Sequence, residues 1–127
     1  MNKPASLEGT KLTNFEPIQK VEKLEIIDTT EGTGDAVPAG ATITAHYTGA
    51  LCADGTIFQS SHDFGEAISF GLDQVIAGWT QGVPGMRIGG TRRLIIPSDM
   101  AYGSARAAAN IPPNSDLVFD IELVAIN

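Results

Sequence analysis

Apolar and polar residues alternate along Thr42-Ile43-Thr44-Ala45-His46-Tyr47-Thr48, and again, apart from Val118, along Leu117-Val118-Phe119-Asp120-Ile121-Glu122-Leu123. A period of two puts Ile43, Ala45 and Tyr47 on one face of a strand, and Leu117, Phe119, Ile121 and Leu123 on one face of another. Two long strands, each with one apolar face, must lay those faces against a common core. A third strand is expected over Thr91-Arg92-Arg93-Leu94-Ile95-Ile96, stopped by Pro97. Arg92 and Arg93 then project to opposite faces, where each pairs locally. Ala53-Asp54-Gly55-Thr56 carries the Asp-Gly sign of a tight hairpin, returning the chain into a strand with Ile57 and Phe58. Shorter extended pieces are expected from Val21 to Ile27 and from Ala67 to Phe70. Fourteen glycines and seven prolines in 127 residues fit the number of turns such a sheet needs.

One segment has helical spacing. Val75, Ile76, Trp79 and Val83 form a short apolar stripe behind Asp73, a candidate N-cap, and Gly82 with Pro84-Gly85 ends it. The expected fold is α+β, an antiparallel sheet wrapped around one short helix. Residues 20–127 make a single domain. Residues 1–19 are polar and without a period, so they read as a flexible N-terminal extension, with Leu7, Leu12 and Phe15 as its candidate anchors. The 97–116 stretch is expected to be mostly loop.

Charge and composition remove several functions. Eight basic against fifteen acidic residues leave a net charge of −7, and the basic residues are scattered, so no nucleic-acid surface is expected. Cys52 is the only cysteine, which excludes an internal disulfide and a cysteine metal cluster. It lacks a cationic neighbour that would stabilise a thiolate, so it reads as an inert thiol. His46 projects away from the apolar face, and His62-Asp63 reads as solvated loop groups rather than acid–base machinery. No membrane span is visible, and a cytoplasmic monomer without metal or cofactor is the expectation.

Several loop–strand junctions set aromatic or branched residues beside glycines, hydroxyls or prolines: Tyr47-Thr48-Gly49, Phe58 with Ser60-Ser61, Val75-Ile76-Ala77-Gly78-Trp79, Ala101-Tyr102-Gly103 and Ile111-Pro112-Pro113. Junctions of this kind line apolar clefts. In this order, with Asp54-Gly55 and Leu117-Val118-Phe119, they resemble the FK506-binding-protein (FKBP) family of peptidyl-prolyl cis–trans isomerases across residues 21–126. The resemblance implies a proline pocket floored by Trp79, with Tyr47, Phe58, Tyr102 and Phe119 as catalytic residues. It implies Gln59, Ile68, Val75, Ile76 and Ile111 as further substrate contacts. The Ile76 N–H and the Tyr102 hydroxyl would bind substrate carbonyls, and the Tyr47, Phe58 and Phe119 ring edges would surround another. Proline-containing peptides or folding proteins are the implied partners, and FK506- or rapamycin-like macrolides the implied inhibitors.

Two positions depart from the family pattern together. Gln59 stands where an acid is usual, and Phe64 where many relatives carry the arginine that pairs with it. Loss of both charges removes an ion pair as a unit, which strands no charge. Ser104–Asn110 also differs from the commoner Gly-rich loops. The alternative to an enzyme is a binding module that holds proline-containing segments with little turnover. The short Ala67-to-Leu72 segment leaves no room for an added chaperone flap.

Overall fold

The computed structural model describes residues 10–12, 15–63, 65–103 and 111–127. Six strands form one antiparallel sheet: β1 (Glu25–Thr30), β2 (Thr42–Leu51), β3 (Ile57–Ser60), β4 (Ile68–Gly71), β5 (Thr91–Ile96) and β6 (Leu117–Ile126). The order is β1-β5-β6-β2-β3, with β4 also paired to β2. The long alternating strands β2 and β6 are neighbours, in register from Ile43 opposite Ile126 to Leu51 opposite Leu117, with a shift between Thr44 and Ala45. Their predicted inward residues are the core. Ile43, Ala45, Leu117 and Ile121 are fully buried, and Tyr47, Phe119 and Leu123 nearly so.

The one α-helix among the described residues of this α+β fold, α1, spans Ala77–Gly82. It lies against β5 where two of its residues lack side chains. A Cβ at Gly78 would stand 2.5 Å from Ile96 Cδ1, and one at Gly82 would stand 2.7 Å from Leu94 Cδ2. Four residues apart, these glycines share one helix face, so the backbone itself rests on the sheet. Trp79 and Val83 fill the space beside that contact, within the same core as Leu94, Ile96, Phe119 and Ile121.

The helix begins later than its spacing predicts. Its N-cap is Ile76, not Asp73. Leu72 is fully buried, and its N–H donates to Ala41 O, so the chain is still tied to the sheet at that point. Gln74 N–H then donates to Gly71 O in a turn, and Thr80 Oγ1 donates back to Leu72 O at 2.6 Å. Val75 and Ile76 therefore sit on the approach to the helix.

The segment expected as a flexible extension is attached over its described residues. Leu12 N–H donates to Gly55 O, Ile57 N–H to Thr10 O, and Ile18 N–H to Cys52 O. Leu12, with Phe15 and Ile18, covers a second core on the outer face of the sheet, formed by Val21, Ala50, Cys52, Ile57, Ile95 and Val118. Val118 and Ile95 alternate away from the main core, and burying them needs a layer that the sheet lacks. Leu7 lies outside the described residues.

Arg92 and Arg93 do separate to the two faces. Arg92 is buried and holds Asp28 in a two-point contact (Nε to Oδ1, 2.6 Å; Nη2 to Oδ2, 3.2 Å) while donating to the helix-end carbonyl of Gly82 at 2.8 Å. It thereby ties β1, β5 and the C-terminus of α1 together, where the helix dipole favours a cation. Arg93 pairs with Asp120 at 2.7 and 2.8 Å and stands over the Phe15 ring at 5.7 Å.

Cys52 is fully buried, and burial, with smaller contributions from Asp116 and Glu25, pushes its thiol up to about 12. An unfolded cysteine ionises near 8.5. The folded state thus favours the neutral thiol, a contribution fully present below about 8.5 and lost as pH rises toward about 12. The expected result is a urea midpoint that falls between pH 8 and pH 11, with a smaller fall in Cys52→Ala. An aromatic disulfide reagent at pH 8 should label Cys52 only after unfolding.

Candidate functional site

A cleft of about 400 Å³ opens at the N-terminal end of α1. Trp79 lies at its base, 4% exposed. Three rings meet the indole: Phe70 at 4.9 Å, Phe119 at 5.3 Å and Tyr47 at 5.7 Å between centroids. Phe58 continues the cluster, edge-on to Phe119 at 5.7 Å. The Tyr47–Trp79, Phe58–Phe119 and Trp79–Phe119 pairs stand at 77°, 87° and 86°. Such packing turns electropositive C–H edges toward neighbouring electron-rich surfaces.

Each wall comes from a different element. β2 supplies Tyr47, β3 supplies Phe58 and Gln59, β6 supplies Phe119, and the approach to α1 supplies Gln74, Val75 and Ile76. Tyr102, from the turn after β5, closes the side and remains 40% exposed. Every lining side chain among the described residues is uncharged at neutral pH. Burial, with a lesser contribution from Tyr102, raises the Tyr47 hydroxyl above its ordinary value, and burial raises Tyr102 likewise. Both phenols therefore keep their protons as donors. Tyr47 donates to Gln59 Oε1 at 2.5 Å, whereas Tyr102 has no partner among the described residues. As N-cap, Ile76 has an N–H that precedes the helical hydrogen-bond ladder.

Eight of the ten residues singled out from sequence meet in this cleft: Tyr47, Phe58, Gln59, Val75, Ile76, Trp79, Tyr102 and Phe119. Ile68 and Ile111 do not line it. Ile68 packs half-buried against the core from β4, and Ile111 is 5% exposed inside that core. From β4 it is Phe70, not Ile68, that lines the cleft. Both lie on the inward face of β4, but Phe70 opposes Ile43 whereas Ile68 opposes Ala45, and only Phe70 reaches Trp79. Gln74 was also missed, because the turn that places it was read as the first turn of a helix. Phe64 and the 104–110 loop, with Asn110, lie outside the described residues.

The Ser60-Ser61 pair secures the wall rather than lining it. Ser61 Oγ accepts from the Tyr47 N–H at 2.8 Å and meets His46 Nδ1 at 2.9 Å, while Ser60 Oγ meets Thr48 Oγ1 at 2.9 Å. Both serines are buried, so these bonds lock β3 against β2. His62 is not a freely solvated group: it stacks on His46 at 4.2 Å and 9°, and its Nε2 meets Glu122 Oε2 at 2.7 Å. No helix among the described residues is long and apolar enough to cross a membrane.

The FKBP-type peptidyl-prolyl cis-trans isomerase family profile matches residues 34–124. The peptidyl-prolyl cis-trans isomerase FPR2 of Saccharomyces cerevisiae is 49% identical over 89 residues, covering 68% of this chain and 66% of that protein. FkpA of Aeromonas hydrophila is 45% identical over 122 residues, covering 96% of this chain and 42% of its own length. The chain thus spans less than two thirds of these curated relatives. A solved peptidyl-prolyl cis-trans isomerase from Pseudomonas syringae superposes with a TM-score of 0.75 at 38% identity, covering 87% of this chain and 80% of that one. With the sheet, the helix and the aromatic cleft in the arrangement the motifs imply, the chain belongs to the FKBP-type peptidyl-prolyl cis–trans isomerase family.

Proposed function

We propose that the chain accelerates rotation about X-Pro bonds, with the proline ring seated over Trp79. The observation that carries this reading is the cleft itself: an uncharged aromatic cup with protonated phenols at its edge. Amide resonance sets a rotation barrier of about 18–20 kcal/mol, and X-Pro bonds exchange in tens to hundreds of seconds. The twisted amide has lost its resonance charge separation, so an apolar cup favours it over either planar form. Ring edges from Tyr47, Phe58 and Phe119 surround the rotating carbonyl, while the Ile76 N–H and the Tyr102 hydroxyl hold neighbouring carbonyls. Catalysis is then differential binding of the twisted form. A millionfold acceleration needs about 8 kcal/mol of it, and no covalent step. FK506-like macrolides, with an apolar ring and acceptor carbonyls, fit the same cup.

A protease-free NMR exchange measurement on an X-Pro peptide tests the reading. Tyr102→Phe is expected to slow catalysed exchange about 2–12-fold, the worth of one net hydrogen bond of about 0.5–1.5 kcal/mol. Stability should change by less than about 0.5 kcal/mol, because Tyr102 is 40% exposed and its hydroxyl has no hydrogen-bond partner among the described residues. A native chain that binds peptide without accelerating exchange would leave the binding-module reading. The observation favouring that second reading is Gln59 on Tyr47 in place of an acid.

A further inference from the structure

The bond between Tyr47 and Gln59 decides which polar groups the cleft offers. A phenol has one proton, and Tyr47 spends it on Gln59 Oε1 at 2.5 Å. A primary amide carries an acceptor oxygen and two N–H donors. With the oxygen engaged by Tyr47, Gln59 is left with its Nε2, whose two N–H groups have no partner among the described residues. Gln59 is an exposed residue of β3 and also lines the cleft, so those donors stand at the substrate entrance. A carboxylate in this place could only accept.

We infer that Gln59 is a specificity-determining residue that makes the cleft a reader of hydrogen-bond acceptors. Proline peptides with a carboxylate or amide side chain next to the proline are preferred over those with an ammonium there. This inference rests on the proline-peptide reading of the cleft. A glutamate side chain can accept from Nε2, and a charge-assisted bond of this kind is about twice as strong as a neutral one. A lysine brings only donors to a donor. The net charge of −7 acts in the opposite sense and favours the cationic peptide. That field is screened beyond about 8 Å at physiological salt, whereas the rim bond is direct. A preference for glutamate therefore has to come from the rim.

The test uses peptides identical except for Glu, Gln, Leu or Lys before the proline, with exchange measured by NMR at 150 mM salt. The native chain and the Gln59→Glu and Gln59→Leu variants are compared, and each value is divided by that chain's own value for the Leu peptide. The native chain is expected to handle the Glu peptide about tenfold better than the Lys peptide, the effect of one charge-assisted hydrogen bond. Gln59→Glu should reverse that order, and Gln59→Leu should bring the ratio near one. A native ratio within about twofold of one, or a ratio that both variants leave unmoved, overturns the inference. If the native chain exchanges no peptide, the isomerase reading fails by itself. The same four peptides are then titrated as ligands by chemical-shift perturbation, where the Glu-over-Lys order must appear in Kd. Equal affinities, or no binding, overturn the inference there too.

Discussion

Replacing Trp79 with alanine is expected to destabilise the chain by about 3–5 kcal/mol and to lower catalysed X-Pro exchange by about a hundredfold or more. The indole is 4% exposed, and Phe70, Phe119 and Tyr47 all pack against it. Truncation removes apolar burial and leaves three rings facing a void, so both the transfer and the cavity costs apply. Domains of this size hold about 5–15 kcal/mol, so the variant should still fold at 25 °C with a much lower urea midpoint. Trp79→Phe keeps a ring at the base and should lose less of both properties. Trp79 is also the only tryptophan, so its fluorescence reports pocket occupancy directly. Stability near native in Trp79→Ala would contradict its place at the centre of the core. Activity near native in the folded variant would move the proline site elsewhere.

The second large effect is expected from one added methyl group. Gly49 sits in β2 opposite Phe119 of β6 and Gln59 of β3. A Cβ there would stand 2.6 Å from Phe58 Cζ and 2.7 Å from Phe119 Cε1. Favourable carbon contacts lie near 3.5–4.0 Å, so each ring must retreat by about 1 Å. Overpacking of this kind costs about 1–3 kcal/mol, which the fold tolerates. The rings that retreat are the ones proposed to surround the rotating carbonyl, and a misplacement of about 1 Å can cost about a hundredfold in rate. Gly49→Ala is thus expected to fold, with a modest loss in urea and a fall of about 10–100-fold in catalysed exchange. Exchange within about twofold of native would show that the Phe58 and Phe119 edges take no part in the transition state.

The Gly49 contact also explains a motif that sequence could only match. Tyr47-Thr48-Gly49 is legible as part of a family pattern, but its need for glycine lies in two rings on neighbouring strands, Phe58 across the hairpin and Phe119 far along the chain. Gly78 and Gly82 are similar: four-residue spacing is visible in sequence, yet only Ile96 and Leu94 across the interface exclude a side chain.

The alternating strands, the Asp-Gly hairpin and one short helix were determined by local sequence, because period and turn chemistry act over a few residues. The ordered motifs also picked out Tyr47, Phe58, Gln59, Val75, Ile76, Trp79, Tyr102 and Phe119, which the fold brings together in one cleft. Tertiary structure decided what depends on register and layering. Phe70 rather than Ile68 reaches Trp79 because of where β4 meets β2, and pairing register is set between strands rather than within one. The helix starts at Ala77 because burial of Leu72 keeps the preceding residues tied to the sheet. Leu12, Phe15 and Ile18 belong to a core because Ile95 and Val118 present an apolar surface on the outer face. A segment without a period gives no local sign of that surface, which exists only once the sheet has formed.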